Sequence, residues 1–351
     1  MTGAITAEQG QAAWARIARV AEGGAIPAAD DAVARPVIDR LSELASPALT
    51  DALLGGGVFD PEILAQSRLN NRFRLSAQRD GLRLIADAGV PVVAIKGFAL
   101  AHMIYDDPEI RAVGDLDVLV RPADRDRLVR HLRANGFHFE PLPRPPWGFI
   151  STASYAPFVS ADSACNLDVH IHPDCYPAYR SVTTDDVFAR AIMIDVDGFS
   201  FRAACADHAF LLCATNVAKD KFGLFAARKI ADAMRLAHHY DLDWAGLDRL
   251  AVGGGYAGPY RVFLRLLHDL GLRADGFVRP SGNLSPTMAR EYARMHGDTR
   301  CFYPDEPGLL ATLRREFLLS TELPVGVHNM WARIKGLFRR DDGVPDIPGL
   351  S

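Results

Sequence analysis

A chain of 351 residues, 49% hydrophobic and 23% charged, is long enough for two ordinary domains and too apolar to be disordered. Its formal net charge of −4 provides no global field for nucleic acid, so such a substrate would need a local basic groove. Five cysteines (Cys165, Cys175, Cys205, Cys213, Cys301) are an odd number with no CxxC pair, which argues against a disulfide framework and predicts a reducing, cytoplasmic setting.

The opening MTGAITAEQGQAAWARIARV lacks the basic start and apolar block of a signal peptide, and no apolar run approaches the roughly 18 residues of a membrane span. Ala12, Trp14, Ile17, Ala18 and Ala21 recur at helical spacing until Gly23 and Gly24. A second periodic piece around Val37, Leu41 and Leu44 leads to Gly55, Gly56 and Gly57. No GxGxxG spacing or P-loop lysine accompanies that run, so it reads as a turn. Asp60 and Pro61 then start a long helix, by a cap and a proline at the first helical position, and Gly89 stops it. Its middle carries Arg68, Asn70, Asn71, Arg72 and Arg74, for which a solvated face is the simplest account.

Residues 90–140 organise the rest. An apolar strand (91–95) meets a Lys96-Gly97 turn and a helix from about Phe98 to Tyr105; a loop with Arg111 leads to the strand GDLDVLV and another helix. Strand alternation points Asp115 and Asp117 to one face and Leu116, Val118 and Val120 to the other. Two carboxylates on a rigid face suit a hard cation such as Mg²⁺. Gly97 at a helix N-terminus suits phosphate, and Lys96 or Arg111 offers charge to a triphosphate. The bland readings are a tight turn at Gly97, a strand-end lysine, and an Arg111 ion pair with Asp106 or Asp115.

The proline-rich PLPRPPWGF reads as a connector or lid. The strands APFVS, NLDVHIH and MIDVDGFSFR follow, for a mixed sheet of about five. On NLDVHIH, Asp168, His170 and His172 share one face, either wet or lining a site. From Ala203 the pattern is helical, with later helices near 259–271, 285–296 and 307–320. The basic amphipathic NMWARIKGLFRR reads as a docked terminal helix, with a membrane surface or partner as the alternative. Cys165, His170, His172 and Cys175 also form a possible zinc cluster of uncommon spacing.

The series AIKGFAL, IRAVGDLDVLV, LRANGF, LDVHIH, ADHAFLLCATNVAKDKF and ARKIADAMRL, over residues 65–250, resembles the uncharacterised bacterial nucleotidyltransferase family of the DNA polymerase β-like superfamily. The resemblance implies an α+β minimal nucleotidyltransferase fold, a mixed sheet flanked by helices, with N-terminal helices and a C-terminal helical domain. The expected divisions are 1–88, 89–202, 203–340 and a disordered tail at 341–351. It implies Asp115, Asp117 and Asp168 as catalytic, metal-binding carboxylates for two Mg²⁺ ions, Mn²⁺ being possible, and Lys96 and Gly97, with Arg111, for the NTP. His170 stands on the family's strand histidine as a possible accessory residue. Phe98 replaces the serine that usually follows the superfamily's phosphate-binding glycine. The expected activity moves an NMP from an NTP to an unidentified acceptor (a small molecule, a peptide or protein, or an RNA end), releasing pyrophosphate. A catalytically inactive nucleotide- or partner-binding module is the alternative, and a zinc-stabilised interaction domain the weaker one.

Overall fold

The computed structural model describes residues 4–23, 33–139, 158–280, 283–303 and 308–338. The proline-rich segment expected as a lid and the expected disordered tail lie outside the described residues. In chain order the regular elements begin with helices α1 (Ala7–Ala21), α2 (Arg35–Leu44), α3 (Pro47–Leu53) and α4 (Pro61–Asp87). Next come β1 (Val92–Ile95), α5 (Lys96–Ile104), β2 (Leu116–Val120), α6 (Arg125–Ala134), β3 (His138–Phe139), β4 (Phe158–Val159) and β5 (Asn166–His170). Helix α7 (Thr184–Ala189), β6 (Ile192–Val196) and β7 (Phe199–Ala203) complete the sheet region. Among the described residues seven helices follow: α8 (Ala206–Lys219), α9 (Ala226–His239), α10 (Trp244–Gly254), α11 (Ala257–Asp269), α12 (Pro286–Arg300), α13 (Leu309–Arg315) and α14 (Leu323–Phe338).

Two compact units divide these elements. One contains residues 1–69, Glu109–Ala112 and 210–323; the other contains 70–108, 113–209 and 324–351.

The sheet belongs to the second unit. It has seven strands in the order β3-β4-β5-β2-β1-β7-β6, two more than expected. The additions are the two-residue strand β3 and the splitting of MIDVDGFSFR into an antiparallel hairpin, β6 and β7. Asp197 and Gly198 turn that hairpin with φ of 49° and 77°, the left-handed pair a two-residue turn requires. β2 lies at the centre, antiparallel to β1 and parallel to β5, and all five of its residues are buried. Helix α4 approaches closely because residue 81 is glycine: a Cβ there would stand 3.0 Å from Cys165 Sγ and 3.5 Å from Leu116 Cδ2. Leu116 alternates with Asp117 along β2, so α4 covers the face opposite that carboxylate.

Helix α4 is less simply amphipathic than its pattern suggests. Ile63, Leu69 and Phe73 are exposed, whereas Asn71 and Gln78 are buried. Gln78 Nε2 donates to the Gly114 carbonyl at 2.9 Å and Arg74 to that of Val113 at 3.4 Å, tying down the loop that enters β2.

The other unit is helical. Thr6 and Gln9 form a capping box at the start of α1, and Ser285 caps α12 ahead of Pro286. Trp14 of α1 is fully buried, stacks on Phe302 with centroids 5.0 Å apart, and donates to the Thr299 carbonyl at 2.9 Å. The glycines Gly55, Gly56 and Gly57 all take positive φ, so the run is the turn expected of it. Helix α14, whose residues from 324 belong with the sheet, exposes Leu323, Val327, Trp331 and Ile334 at helical spacing, buries Val325, and packs His328 against Tyr176 with ring centroids 4.7 Å apart. No described helix is long and apolar enough to cross a membrane.

Candidate active site

The site grows out of the register between two strands far apart in sequence. β2 and β5 run parallel with Asp117 paired to Asp168 and Leu119 to His170. In parallel strands, paired residues point to the same face. Two carboxylates therefore stand side by side, with an imidazole two residues further along β5. One ligand atom from each of Asp117, Asp168 and His170 lies within 4.8 Å of the others.

Lys96 enters the same cluster. It is the first residue of α5, reached directly from β1, and its φ of 60° is left-handed. A non-glycine residue held there costs about 1–2 kcal/mol, and such outliers collect at functional sites. Gly97 is not among the positive-φ glycines, so the unusual backbone falls on the lysine. Lys96 Nζ stands 2.5 Å from Asp117 Oδ1 and 3.2 Å from His170 Nε2, and those two atoms are 3.0 Å apart. Burial opposes ionisation of Asp117, but the Lys96 ammonium beside it outweighs burial and holds this carboxyl well below the usual carboxylate range.

The other expected residues have the following placements. Asp115 is exposed, one residue before β2, and is not in the group of Asp117, Asp168 and His170. Arg111 belongs to the helical unit, where its guanidinium forks onto Asp232 of α9 at 2.6 Å and 3.0 Å, both side chains buried. That partner is neither of the two carboxylates considered from the sequence. Phe98 is a core side chain packed against Phe201 and His102. His172 stacks on Tyr179 with centroids 4.5 Å apart. Cys165 and Cys175 are free thiols outside the metal-capable group.

Two placements escape sequence reasoning. Gln78 holds the Gly114 carbonyl, and no residue pattern separates it from the other polar side chains of α4. The Lys96 contact with Asp117 depends on a backbone angle, although the lysine's position at a strand-to-helix turn was a usable signal.

The donor set itself tests the fit of a divalent ion. Two carboxylates and an imidazole on neighbouring strands form a donor set that could hold a divalent ion. One ion accounts for the three ligands brought together here.

A mixed sheet flanked by helices makes this an α+β protein, consistent with a nucleotidyltransferase fold. Residues 62–271 match the model of a family described as uncharacterised nucleotidyltransferase, and the chain belongs to that family. A search of curated proteins found no match.

Proposed function

We propose that this protein is a divalent-metal-dependent enzyme that moves an NMP from an NTP to an acceptor hydroxyl or comparable nucleophile. The observation that carries the reading is the pairing of Asp117 with Asp168 beside His170. Asp117 and Asp168 would hold the ion, with His170 as a third ligand, and Asp115, one residue before β2, would contribute to a second ion. A bound ion supplies charge neutralisation on the phosphoryl group and lowers the pKa of an attacking hydroxyl.

The chain's own groups account for the rest. Lys96 and Gly97, at the N-terminus of α5, hold the triphosphate: the ammonium as a point charge, the glycine by allowing close backbone approach. The acceptor oxygen attacks the α-phosphorus, the bond to the bridging oxygen breaks, and pyrophosphate leaves. Asp168 takes the acceptor's proton. Arg111, whose fork is engaged by Asp232, stabilises the helical unit in this reading. An acceptor that is a small molecule, a peptide or an RNA end is compatible with it; the net charge of −4 weighs against RNA. Free cysteines fit a reducing, cytoplasmic setting.

Phe98 favours a second reading. A core phenylalanine supplies no hydroxyl where the superfamily has a phosphate-binding serine, which suits a module that binds nucleotide without turnover. One comparison separates the two. Wild type and Asp117→Asn are incubated with each labelled NTP, Mg²⁺ or Mn²⁺, and pools of small-molecule, peptide and RNA acceptors, and pyrophosphate is measured. Release lost in the variant supports the enzyme; nucleotide bound without release across all pools supports the module.

A further inference from the structure

The ammonium of Lys96 sits where the proposed metal needs to bond. Nζ contacts Asp117 Oδ1 at 2.5 Å and His170 Nε2 at 3.2 Å, two of the three donors a divalent ion would use. An ammonium and a dication on the same two atoms repel each other and compete for the same lone pairs. The arrangement is built rather than incidental. The Lys96 side chain is only 21% exposed and that of Asp117 11%. The lysine is held in a left-handed conformation that glycine adopts more cheaply, although a glycine is its neighbour.

We propose that Lys96 is a built-in counter-cation, which occupies the Asp117–His170 pair in the free protein and gives it up when a metal–nucleotide complex arrives. The inference rests on the metal reading above. The flexible four-carbon stem lets the ammonium leave Asp117 and pair with a phosphate oxygen of the incoming triphosphate, so the negative charge it loses is replaced. Metal alone must displace the lysine with no such compensation and therefore binds weakly. Lys96 is thus a positioning residue that links metal entry to nucleotide entry.

The test uses the full chain without nucleotide and reads Mn²⁺ binding from the electron spin resonance of the free ion. Lys96→Met should bind Mn²⁺ at least tenfold more tightly than wild type, whereas Lys96→Arg, which keeps the cation, should not. Equal affinities for wild type and Lys96→Met overturn the inference and leave the metal reading standing. Binding to Lys96→Met that is unchanged in Lys96→Met/Asp117→Asn overturns both. A second measurement needs no variant: acylation of lysine amines in wild type, read by mass spectrometry. Saturating Mn²⁺ should raise labelling of Lys96 several-fold relative to the other lysines. Unchanged labelling overturns the inference, and it decides alone should Lys96→Met fail to fold.

Discussion

Asp117 and Asp168 stand directly opposite each other on adjacent parallel strands, fifty-one positions apart in the chain. Side chains so paired share one face, and like charges there are unfavourable unless a cation lies between them. The Lys96 ammonium supplies Asp117 with a counter-charge at 2.5 Å, and a divalent ion would neutralise both carboxylates during turnover. Replacing Asp117 or Asp168 by Asn should reduce nucleotidyl transfer by about a hundredfold or more, since altering even a metal's supporting partners costs 10–100-fold. Steady-state pyrophosphate release measures this, with circular dichroism confirming that the fold is kept.

Arg111 should behave differently. Its bidentate bond to Asp232 is buried on both sides, and removing one partner leaves an uncompensated buried charge. Arg111→Ala should lower unfolding stability by about 3–5 kcal/mol, measured by urea denaturation. The double change Arg111→Met/Asp232→Leu should be less destabilising than either single change, because it leaves no orphaned charge.

Acid should destabilise the protein before its carboxylates titrate. Burial, reinforced by Arg79, pushes the His102 imidazole from 6.5 down to about 4, and burial beside Arg190 brings His208 to about 4 as well. The folded state thus favours neutral imidazoles that the unfolded chain protonates near 6.5. This stabilisation is complete above that value and is lost as pH falls from about 6.5 towards 4. Asp117, also depressed, adds a loss of the same sign at still lower pH. The urea midpoint should therefore be lower at pH 5 than at pH 7.5, and His102→Gln should narrow the difference.

Gly10 offers a packing test in the helical unit. A Cβ at this position of α1 would lie 1.7 Å from the Arg300 carbonyl oxygen, a backbone atom that cannot simply rotate away. Gly10→Ala should cost about 1–3 kcal/mol by overpacking, despite alanine's better helix propensity, and a lowered thermal midpoint would show it.

Much of the site was legible because its signals are local. The strand-to-helix turn at Lys96 and the alternation in GDLDVLV and LDVHIH follow from neighbouring residues alone. Asp197-Gly198 was also a local hairpin signal, passed over because the flanking residues read as one continuous strand. What needed the structure is non-local. The register of β5 on β2 is set by packing across fifty residues, and a shift of one position would turn Asp168 away from Asp117. Likewise Trp14 meets Thr299, and Arg111 meets Asp232, through contacts between distant segments that periodicity does not encode.

The most direct test of the central claim is anomalous diffraction from crystals grown with Mn²⁺ and a non-hydrolysable NTP analogue. The account predicts a manganese peak bonded to the carboxylates of Asp117 and Asp168, with the triphosphate on the ion and the Lys96 ammonium moved onto a phosphate oxygen. A nucleotide bound with no anomalous peak at Asp117 and Asp168, or with its metal held by other residues, would contradict it.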